Sequence, residues 1–536
     1  MEVFTYLITT CNADPRNGVK DTTYTDYVGK MNASHLLGTW NRYQNKDINT
    51  TTLTTFGWGD GGGGPTREMI ECEKRFEYGL PGLGKTRIAS FKDTIDEIER
   101  NCLKNKKKIP TWNGELYFEY HRGTYTSVPR IKYNNRKFEN LLQLTEIFSS
   151  FTNILYNKKY EDKYIKSLWK LLLLNQFHDV LPGSSIKKVY EDSNKYFRRL
   201  DKETSKIIKN NIDIIIKNIS SNKKYVVFNP NSFKADLPIK INGKTYVVKS
   251  VPSVGFKCFD IQKTKTNIIR EDKYLENKFY IIKFDNYGNI VSLIHKNSKK
   301  DFVKNNCKFN ELICYEDMPY QYDNWELTPY HKEKAYHFNE LAKFNFISDG
   351  ERLGYEIIRP YFDSTIIQKV YIYESINRID FETKISWKEK RQILKVVFPT
   401  SLKSKDVIYE TQFGNIKRTS VPQNSFDEAK FECCGQRFVD IFDDKYGLAL
   451  INNGKYGFSA EKNILSMSLL KSGSFPFEGA SDDVPEFIYS LIPHEGDYKS
   501  EHIIEDAYIL NRPPLIFKIN KNQLKTNNEE ISLLSI

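Results

Sequence analysis

The spacing of apolar residues changes twice along the chain and predicts three regions of different structure. In residues 1–85, short apolar runs are separated by turn-forming residues, a pattern typical of the end of a larger α/β region. From Ser90 to about Ile219, apolar residues recur at helical spacing. After Lys223, short runs of Ile, Val, Tyr and Phe alternate with turns such as Asn-Gly, which predicts β-sandwich structure.

Three helices are predicted in the middle region, and together they would form a three-helix bundle. The first helix is marked by Phe138, Leu141, Leu142, Leu144, Ile147 and Phe148, and the second by Leu168, Leu171, Leu172 and Asn175. The segment from Asp179 to Gly183 contains Pro182 and ends the second helix. The third helix is predicted over residues 187–215.

Length and composition place the chain among globular proteins of several domains. A chain of 536 residues is too long for one hydrophobic core, so about two to four domains are expected. The content of 14% aromatic residues excludes a disordered chain. The net charge of +12 is spread along the whole length, and the densest lysine run, 104–108, is typical of a solvated loop. No nucleic-acid partner is therefore expected.

Cysteine usage and hydropathy indicate a reducing compartment. The eight cysteines form no CxxC pair, and the vicinal Cys433 and Cys434 are poorly placed for an ordinary disulfide. The sequence has no run of 18 apolar residues, and its first residues lack the features of a secretory signal. A cytoplasmic location without a membrane partner is expected, and a homo-oligomer stays open.

Residues 79–86 match the phosphate-loop pattern G-x-x-x-x-G-K-[ST] letter for letter. A phosphate loop must follow a buried strand and open a helix, so that backbone N–H groups converge on the phosphates. The preceding residues 67–77 instead predict a charged amphipathic helix, and residues 87–89 predict a short strand. A turn in which Gly82 and Gly84 adopt positive φ is the better interpretation, and a helix before Gly79 would exclude nucleotide binding.

Three segments place ionisable residues where a packed core would not favour them. In residues 57–66, Asp60 is followed by four glycines, so a ligand can approach its carboxylate while Trp58 offers a ring for stacking. Taken alone, this pattern is more often a flexible turn. In residues 113–127, His121, Arg122 and Tyr125 supply hydrogen-bonding groups and an aromatic face suited to a sugar, although a surface loop with an Arg122 salt bridge explains them equally well.

The third segment, residues 171–185, delivers His178 and Asp179 together at the end of an apolar helix. A single histidine at such a position is usually a capping or core residue. The adjoining Asp179 favours a functional interpretation, because two polar side chains that are buried together at the end of a helix need a binding partner.

These segments together resemble the glycoside hydrolase family 38 α-mannosidases, in the subgroup that contains cytosolic and vacuolar enzymes. The resemblance lies in Gly-Trp-Gly-Asp60-Gly-Gly-Gly-Gly-Pro-Thr, His121-Arg-Gly-Thr-Tyr-Thr-Ser and Gln-Phe-His178-Asp179-Val-Leu-Pro-Gly-Ser. It continues in the β-rich region through Tyr322-Asp-Asn-Trp, Gln412-Phe-Gly-Asn, Phe431-Glu-Cys-Cys-Gly and Lys455-Tyr-Gly. Several specific motifs in order carry more weight than any one of them.

The resemblance implies retaining hydrolysis of α-mannosyl linkages in oligosaccharides, with zinc as cofactor. Asp60 would be the acid/base, His178 a zinc ligand and Asp179 a group that binds substrate hydroxyls. Residues His121, Arg122, Tyr125 and Trp58 are further candidates for substrate binding. In relatives the nucleophilic Asp and the remaining zinc ligands lie upstream of the position of Met1, and no His-x-Asp motif occurs in this sequence.

The resemblance also implies an α+β multidomain fold for a truncated enzyme. Residues 1–88 would be the C-terminal remnant of an α/β barrel-like catalytic domain, residues 89–220 a three-helix bundle contributing zinc and substrate residues, and residues 221–536 the β-sandwich region, which ends early at 533–536. Loop 478–487 departs from the usual Asp-x-Gly-x-His-x-Phe and contains no histidine. The isolated fragment is expected to be inactive and to need an upstream polypeptide. A non-catalytic carbohydrate-binding protein, derived from a decayed mannosidase, is the alternative.

Overall fold

The computed structural model describes residues 3–10, 27–60, 62–105, 109–219, 221–262, 266–499, 502–519 and 530–532. Gly61 of the glycine run, residues 106–108 of the lysine run and the segment 533–536 therefore lie outside the described residues. The chain divides into two compact units, Met1–Leu116 and Tyr117–Ile536. Within the described ranges, no helix is both long enough and apolar enough to cross a membrane.

The helices of the described residues lie before residue 220, apart from two short ones in the β-rich region. They are α1 (Ala33–Arg42), α2 (Arg67–Phe76), α3 (Phe91–Leu103), α4 (Pro129–Tyr156), α5 (Asp162–Asn175), α6 (Lys187–Asn218), α7 (Ser425–Glu428) and α8 (Ile503–Asn511). Two short 3-10 helices span Arg122–Tyr125 and Pro329–Glu333.

In the first unit, α2 and α3 begin at side-chain caps that the sequence supplies. The Thr66 hydroxyl accepts a hydrogen bond of 3.2 Å from the Met69 N–H, and the Ser90 hydroxyl accepts one of 3.1 Å from the Asp93 N–H. Each cap satisfies an N–H group that the first helical turn leaves unpaired. Ser90 therefore begins a helix, as its position in the sequence predicts.

Helix α2 ends at Phe76, directly before the segment that matches a phosphate loop. The predicted helix is confirmed. Because no strand precedes Gly79, the segment lacks the strand–loop–helix arrangement that binds nucleotide phosphates. Gly79 and Gly82 adopt positive φ of 95° and 82°, whereas Gly84 does not, so the prediction for Gly84 is wrong. The strand predicted at 87–89 is also wrong, since these residues pair with no neighbouring strand.

Helices α4, α5 and α6 share one hydrophobic core in the second unit. Their buried faces contain Phe138 and Leu142 from α4, Leu168 and Leu172 from α5, and Phe197 and Leu200 from α6. The Phe138 and Phe197 rings stack with centroids 5.4 Å apart. The helical spacing predicted from the sequence is confirmed for all three helices, because each apolar stripe faces this common core.

The strands of the described residues all follow residue 224. They are β1 (Tyr225–Asn229), β2 (Ala235–Ile241), β3 (Lys244–Val251), β4 (Gly255–Phe259), β5 (Ile269–Glu271), β6 (Tyr274–Glu276), β7 (Tyr280–Phe284), β8 (Ile290–His295), β9 (Lys300–Asp301), β10 (Glu311–Glu316), β11 (Ala335–His337), β12 (Lys343–Asp349), β13 (Arg352–Tyr361), β14 (Ser364–Tyr373), β15 (Ile379–Ser386), β16 (Gln392–Pro399), β17 (Asp406–Thr411), β18 (Gly414–Thr419), β19 (Cys433–Cys434), β20 (Phe438–Phe442), β21 (Tyr446–Asn452), β22 (Gly457–Glu461), β23 (Ile464–Lys471), β24 (Phe487–Glu495), β25 (Leu515–Lys518) and β26 (Glu530–Ser532).

These strands form antiparallel sheets, as predicted. The largest sheet has the order β12-β13-β14-β15-β24-β21-β20-β17-β18, and a six-stranded sheet has the order β11-β10-β16-β23-β22-β19. A five-stranded sheet runs β5-β6-β7-β8-β9, a four-stranded one β25-β1-β4-β26, and β2 pairs with β3. The resulting mixture of helices and antiparallel sheets positions several loops around the ends of α4, α5 and α6.

One large core joins the nine-, six- and five-stranded sheets. It includes Val370 and Phe381 from the first sheet, Val396 from the second and Leu293 from the third, all of them fully buried. Val370 and Phe381 are also direct cross-strand partners between β14 and β15, so the register itself builds this core.

Candidate active site

In the first unit, the glycine-flanked turn exposes both of its predicted functional residues. Asp60 is exposed, and its Oδ1 accepts a hydrogen bond from the Tyr27 hydroxyl. Trp58 is 46% exposed, and the Lys30 ammonium lies 5.5 Å from its ring centroid. The Gly63 N–H donates to the Trp58 carbonyl at 3.0 Å, which closes the turn. The turn thus offers an oriented carboxylate beside an accessible indole ring.

In the second unit, the loop containing His121 is built around Gly123. The Gly123 N–H donates to the Trp325 carbonyl at 2.9 Å, and a Cβ at this position would lie 2.6 Å from the Glu326 carbonyl oxygen. His121 has φ of 61°, and its Nδ1 lies 2.6 Å from Glu326 Oε1. Burial acts to raise the pKa of Glu326, but the His121 contact outweighs it and holds that pKa below its usual value.

Arg122 and Tyr125 make their principal contacts with the chain itself. The Arg122 guanidinium donates to the Ala429 carbonyl at 2.7 Å and 3.0 Å, and it stacks over the Phe431 ring at 4.4 Å. Tyr125 is half-buried, and burial raises its pKa strongly. These contacts fix the His121 loop against the β-rich region.

Below this loop lies a fully buried ion pair between Lys471 and Asp317. Burial raises the pKa of Asp317, and the Lys471 ammonium opposes that effect. A second buried pair joins Lys395 of β16 to Glu432, which directly precedes β19. Each of these buried charges thus has a partner of opposite sign, as burial of an ionised group requires.

His178 and Asp179 lie on the turn that follows α5. Helix α5 ends at Asn175, so the His178 side chain has left the helix and is 78% exposed. Its Nε2 lies 3.2 Å from Asp179 Oδ2, and the Phe177 ring centroid is 4.2 Å from the imidazole. The Ser184 hydroxyl lies 3.3 Å from Asp179 Oδ1. The structure thus brings this pair together, on an open surface of the second unit.

The turn is anchored from below by Lys132 of α4. The buried Lys132 ammonium donates to the carbonyls of Leu181 and Pro182, each at 3.0 Å, and also to the Ser127 carbonyl. Burial lowers the pKa of Lys132 to about 7. Gly183 has φ of 90°, and a Cβ there would lie 2.6 Å from the Ser127 carbonyl oxygen. Residues 127–132 and the turn after α5 therefore form one interlocked structure.

The anchoring role of Lys132 has little signal in the local sequence pattern. Lys132, Asn135 and Arg136 recur at helical spacing and share one face of α4, which is typical of a solvated stripe. All three are buried in the structure. Only tertiary contacts distinguish such a stripe from a solvent-facing one.

The described residues do not by themselves form a complete zinc site. The adjacent His178 and Asp179 side chains supply two donors, whereas a catalytic zinc ion needs about three protein ligands. Across the part of the chain that the structure describes, no group of three or more His, Cys, Asp or Glu side chains is arranged to hold a metal ion. The set of metal donors among the described residues is thus partial.

Family models for three successive domains match the sequence. The glycosyl hydrolases family 38 N-terminal domain matches residues 1–115, the alpha mannosidase middle domain matches 119–215, and the glycosyl hydrolases family 38 C-terminal domain matches 275–478. The matched ranges contain the Asp60 turn, the His121 loop and the His178 turn. All three candidate segments therefore lie within family-specific sequence.

Individual relatives agree with the domain matches. The chain is 30% identical over 486 residues to alpha-mannosidase 2C1 of Mus musculus, covering 86% of this chain and 46% of the relative. It is 30% identical over 570 residues to alpha-mannosidase G of Dictyostelium discoideum, covering 91% and 51%. The chain thus spans about half the length of these curated relatives.

A solved structure supports the same assignment at the level of the fold. An alpha-mannosidase from Enterococcus faecalis V583 superposes with a TM-score of 0.78 at 14% identity, covering 94% of this chain and 70% of the bacterial one. Three consecutive domain models, these relatives and this fold lead to one conclusion. The chain belongs to glycosyl hydrolase family 38.

Proposed function

We propose that this chain provides the last part of the catalytic domain, the middle domain and the C-terminal region of an α-mannosidase, a retaining glycosidase that acts on α-mannosyl oligosaccharides. The observation that carries the proposal is the exposed His178–Asp179 pair, held on a turn that Lys132 anchors. Sugar recognition requires such fixed polar groups, since each hydroxyl needs a directional partner. The relatives named alpha-mannosidase make mannosides the substrate class to test first.

Asp60 is the proposed acid/base. In retaining glycosidases one carboxyl group protonates the leaving oxygen and later deprotonates the attacking water, while a second carboxylate forms the covalent intermediate. Asp60 is exposed on a glycine-flanked turn, so a glycosidic oxygen can reach it, and the Tyr27 hydroxyl orients its carboxylate. The nucleophilic carboxylate is proposed to come from polypeptide outside this chain.

His178 is proposed as one zinc ligand, and the remaining ligands would come from the same complementing polypeptide. Zinc, when bound, would supply an electrostatic contact to sugar hydroxyls. Asp179 would accept hydrogen bonds from those hydroxyls. In the first unit, Trp58 is proposed by itself as a ring on which a sugar can stack. For His121, Arg122 and Tyr125 we propose roles at the rim of the substrate pocket, where their contacts with Glu326, Ala429 and Tyr117 keep the loop in place.

The proposed domain roles follow the same assignment. Residues 1–88 would be the last part of an α/β barrel-like catalytic domain, and residues 89–220 would form a helical bundle domain that contributes His178 and Asp179. Residues 221–536 would form the β-sandwich C-terminal region. A reducing, cytoplasmic location is proposed as well, which is compatible with the absence of any disulfide among the seven described cysteines.

The test is hydrolysis of an aryl α-mannoside in the presence of zinc. The chain alone is expected to show negligible turnover, because its described residues supply only some of the ligands that a catalytic zinc ion needs. Co-expression with an N-terminal segment of a family 38 relative, carrying His-x-Asp and the nucleophilic Asp, is expected to give turnover. In that assembly, His178→Ala and Asp60→Asn should each reduce kcat by at least about a hundredfold.

His337→Ala provides the matched control, because His337 of β11 is another half-exposed histidine with a carboxylate nearby. This variant should retain full activity. Strong turnover by the chain alone would refute the proposal that its active site is incomplete. An assembly that folds, and in which His178→Ala and His337→Ala are equally active, would refute the role of His178.

A further inference from the structure

A cavity of about 570 Å³ lies in the second unit. Its walls come from the start of α4, the first turns of α6 and the loop 476–483 between β23 and β24. The volume lies within the range of about 300–1,000 Å³ that is typical of small-molecule sites. The cavity is therefore large enough for a sugar residue.

The charges that line the cavity balance. Arg130 forms an ion pair with Asp483, and the Lys390 ammonium lies 3.7 Å from Asp482. The remaining charged wall residues are Lys187 and Glu478, which also have opposite signs. An anionic or cationic ligand would meet as many like charges as opposite ones. A neutral ligand with many hydroxyls, in contrast, finds donors and acceptors side by side.

An aromatic wall completes the cavity. The half-buried ring of Phe477 packs on Tyr190 with centroids 5.1 Å apart, and the Asn194 amide lies one turn further along α6. Burial strongly raises the pKa of Tyr190, so its hydroxyl stays protonated. Flat apolar rings beside amide groups are suited to the apolar face and the hydroxyl edge of a pyranose.

The cavity is connected to the candidate active site through one residue. The Tyr190 hydroxyl accepts a hydrogen bond of 2.7 Å from the Ser185 N–H, and the Ser185 hydroxyl donates to the Asp179 carbonyl. A ligand that contacts Tyr190 would thus be linked to the Asp179 backbone through these two hydrogen bonds.

We propose that this cavity is a second sugar subsite, which binds a residue of the oligosaccharide other than the one that is cleaved. The inference rests on the proposed function for its choice of mannosyl oligosaccharides. Phe477 stacks on the sugar, while Asn194 and Lys390 bind its hydroxyls. The subsite therefore makes longer substrates bind more tightly than a single mannoside.

The experiment measures binding of an α-linked mannotriose and of methyl α-mannoside to the full 536-residue chain by calorimetry or ligand-observed NMR. Mannotriose is expected to bind, and Phe477→Ala, Asn194→Ala and Lys390→Met are each expected to weaken it about tenfold, as loss of one stacking or hydrogen-bond contact would. Lys388→Met is the matched control, since Lys388 is an exposed lysine two positions away that does not line the cavity.

Circular dichroism and urea unfolding establish that each variant is folded. If Phe477→Ala is unfolded, Asn194→Ala and Lys390→Met carry the test, because both side chains lie outside the hydrophobic core. Mannotriose that does not bind, or that binds all variants equally, would overturn the subsite. Mannotriose binding that depends on these residues, without turnover in the complemented enzyme, would support the subsite and refute the proposed hydrolysis.

Discussion

The Lys132 ammonium donates a hydrogen bond of 3.0 Å to the Pro182 carbonyl, and this contact ties α4 to the turn that carries Asp179. The same ammonium also donates to the carbonyls of Ser127 and Leu181. One side chain that donates to three carbonyls holds both segments in one arrangement, since it is a donor that they share. The geometry of the candidate site thus depends on a residue that does not touch the substrate.

Replacing Lys132 with Met is expected to destabilise the second unit by about 2–4 kcal/mol, because it removes three charge-assisted hydrogen bonds. Urea unfolding measures this change. Lys137→Met is the control, since Lys137 lies on the same helix in an exposed ion pair with Asp201 and should change the free energy of unfolding by less than about 1 kcal/mol. Equal effects of the two substitutions would contradict the anchoring role.

Gly183→Ala tests the close contact between the turn and Ser127. The substitution combines a φ of 90° with a Cβ that would lie 2.6 Å from a carbonyl oxygen, so a loss of about 3 kcal/mol or more is expected. Gly243→Ala has a similar φ of 79° but meets no atom within 4 Å, so only the backbone strain of about 1–2 kcal/mol should remain. If urea unfolding gives the same loss of free energy of unfolding for both variants, the close contact between Gly183 and Ser127 is not present.

Lys455 gives a pH dependence of stability that can be predicted in sign. Burial lowers its pKa to about 7, and its ammonium contacts the Leu469 carbonyl and the Phe487 ring. Between pH 7 and about 10 the unfolded chain binds this proton while the folded chain has released it, so stability rises with pH over that window. Below pH 7 both states bind the proton and the effect is constant.

The measurement compares urea unfolding of the wild-type chain with that of Lys455→Met at pH 7 and pH 9. The wild type should gain stability relative to the variant by up to about 1.4 kcal/mol per pH unit. The comparison cancels titration of other groups, such as tyrosines, that both proteins share. Parallel pH profiles would contradict the lowered pKa of Lys455.

Lys471→Met is expected to cost about 3–5 kcal/mol, because it leaves the Asp317 carboxylate buried without its partner. The double variant Lys471→Met/Asp317→Leu removes both charges and should recover most of the loss. Lys332→Met, in the exposed pair with Glu461, should change stability by less than about 1 kcal/mol. A double variant less stable than Lys471→Met alone would contradict this explanation.

The helices and antiparallel sheets could be predicted because they follow from local periodicity. Leu168 and Leu172 recur one turn apart and both face the core, and Val370 and Phe381 occupy inward positions of paired strands. Residues 87–89 were wrongly predicted as a strand because extended backbone becomes a strand only with a hydrogen-bonded neighbour, which the sequence alone does not reveal.

The residue types of the candidate site could be predicted from the sequence, but their geometry could be predicted only in part. The adjacency of His178 and Asp179 follows from the sequence, whereas the exposure of His178 depends on α5 ending at Asn175 and on Lys132 binding the turn. The contacts of Arg122 with Ala429 and Phe431 join residues about 300 positions apart, and no local pattern contains such information.

The most direct test of the account is a crystal structure of the complemented enzyme with a bound mannose-derived transition-state analogue. The predicted result is that the hydroxyls of one sugar ring contact the His178–Asp179 turn. An analogue bound elsewhere, without contact to His178 or Asp179, would contradict the proposed function.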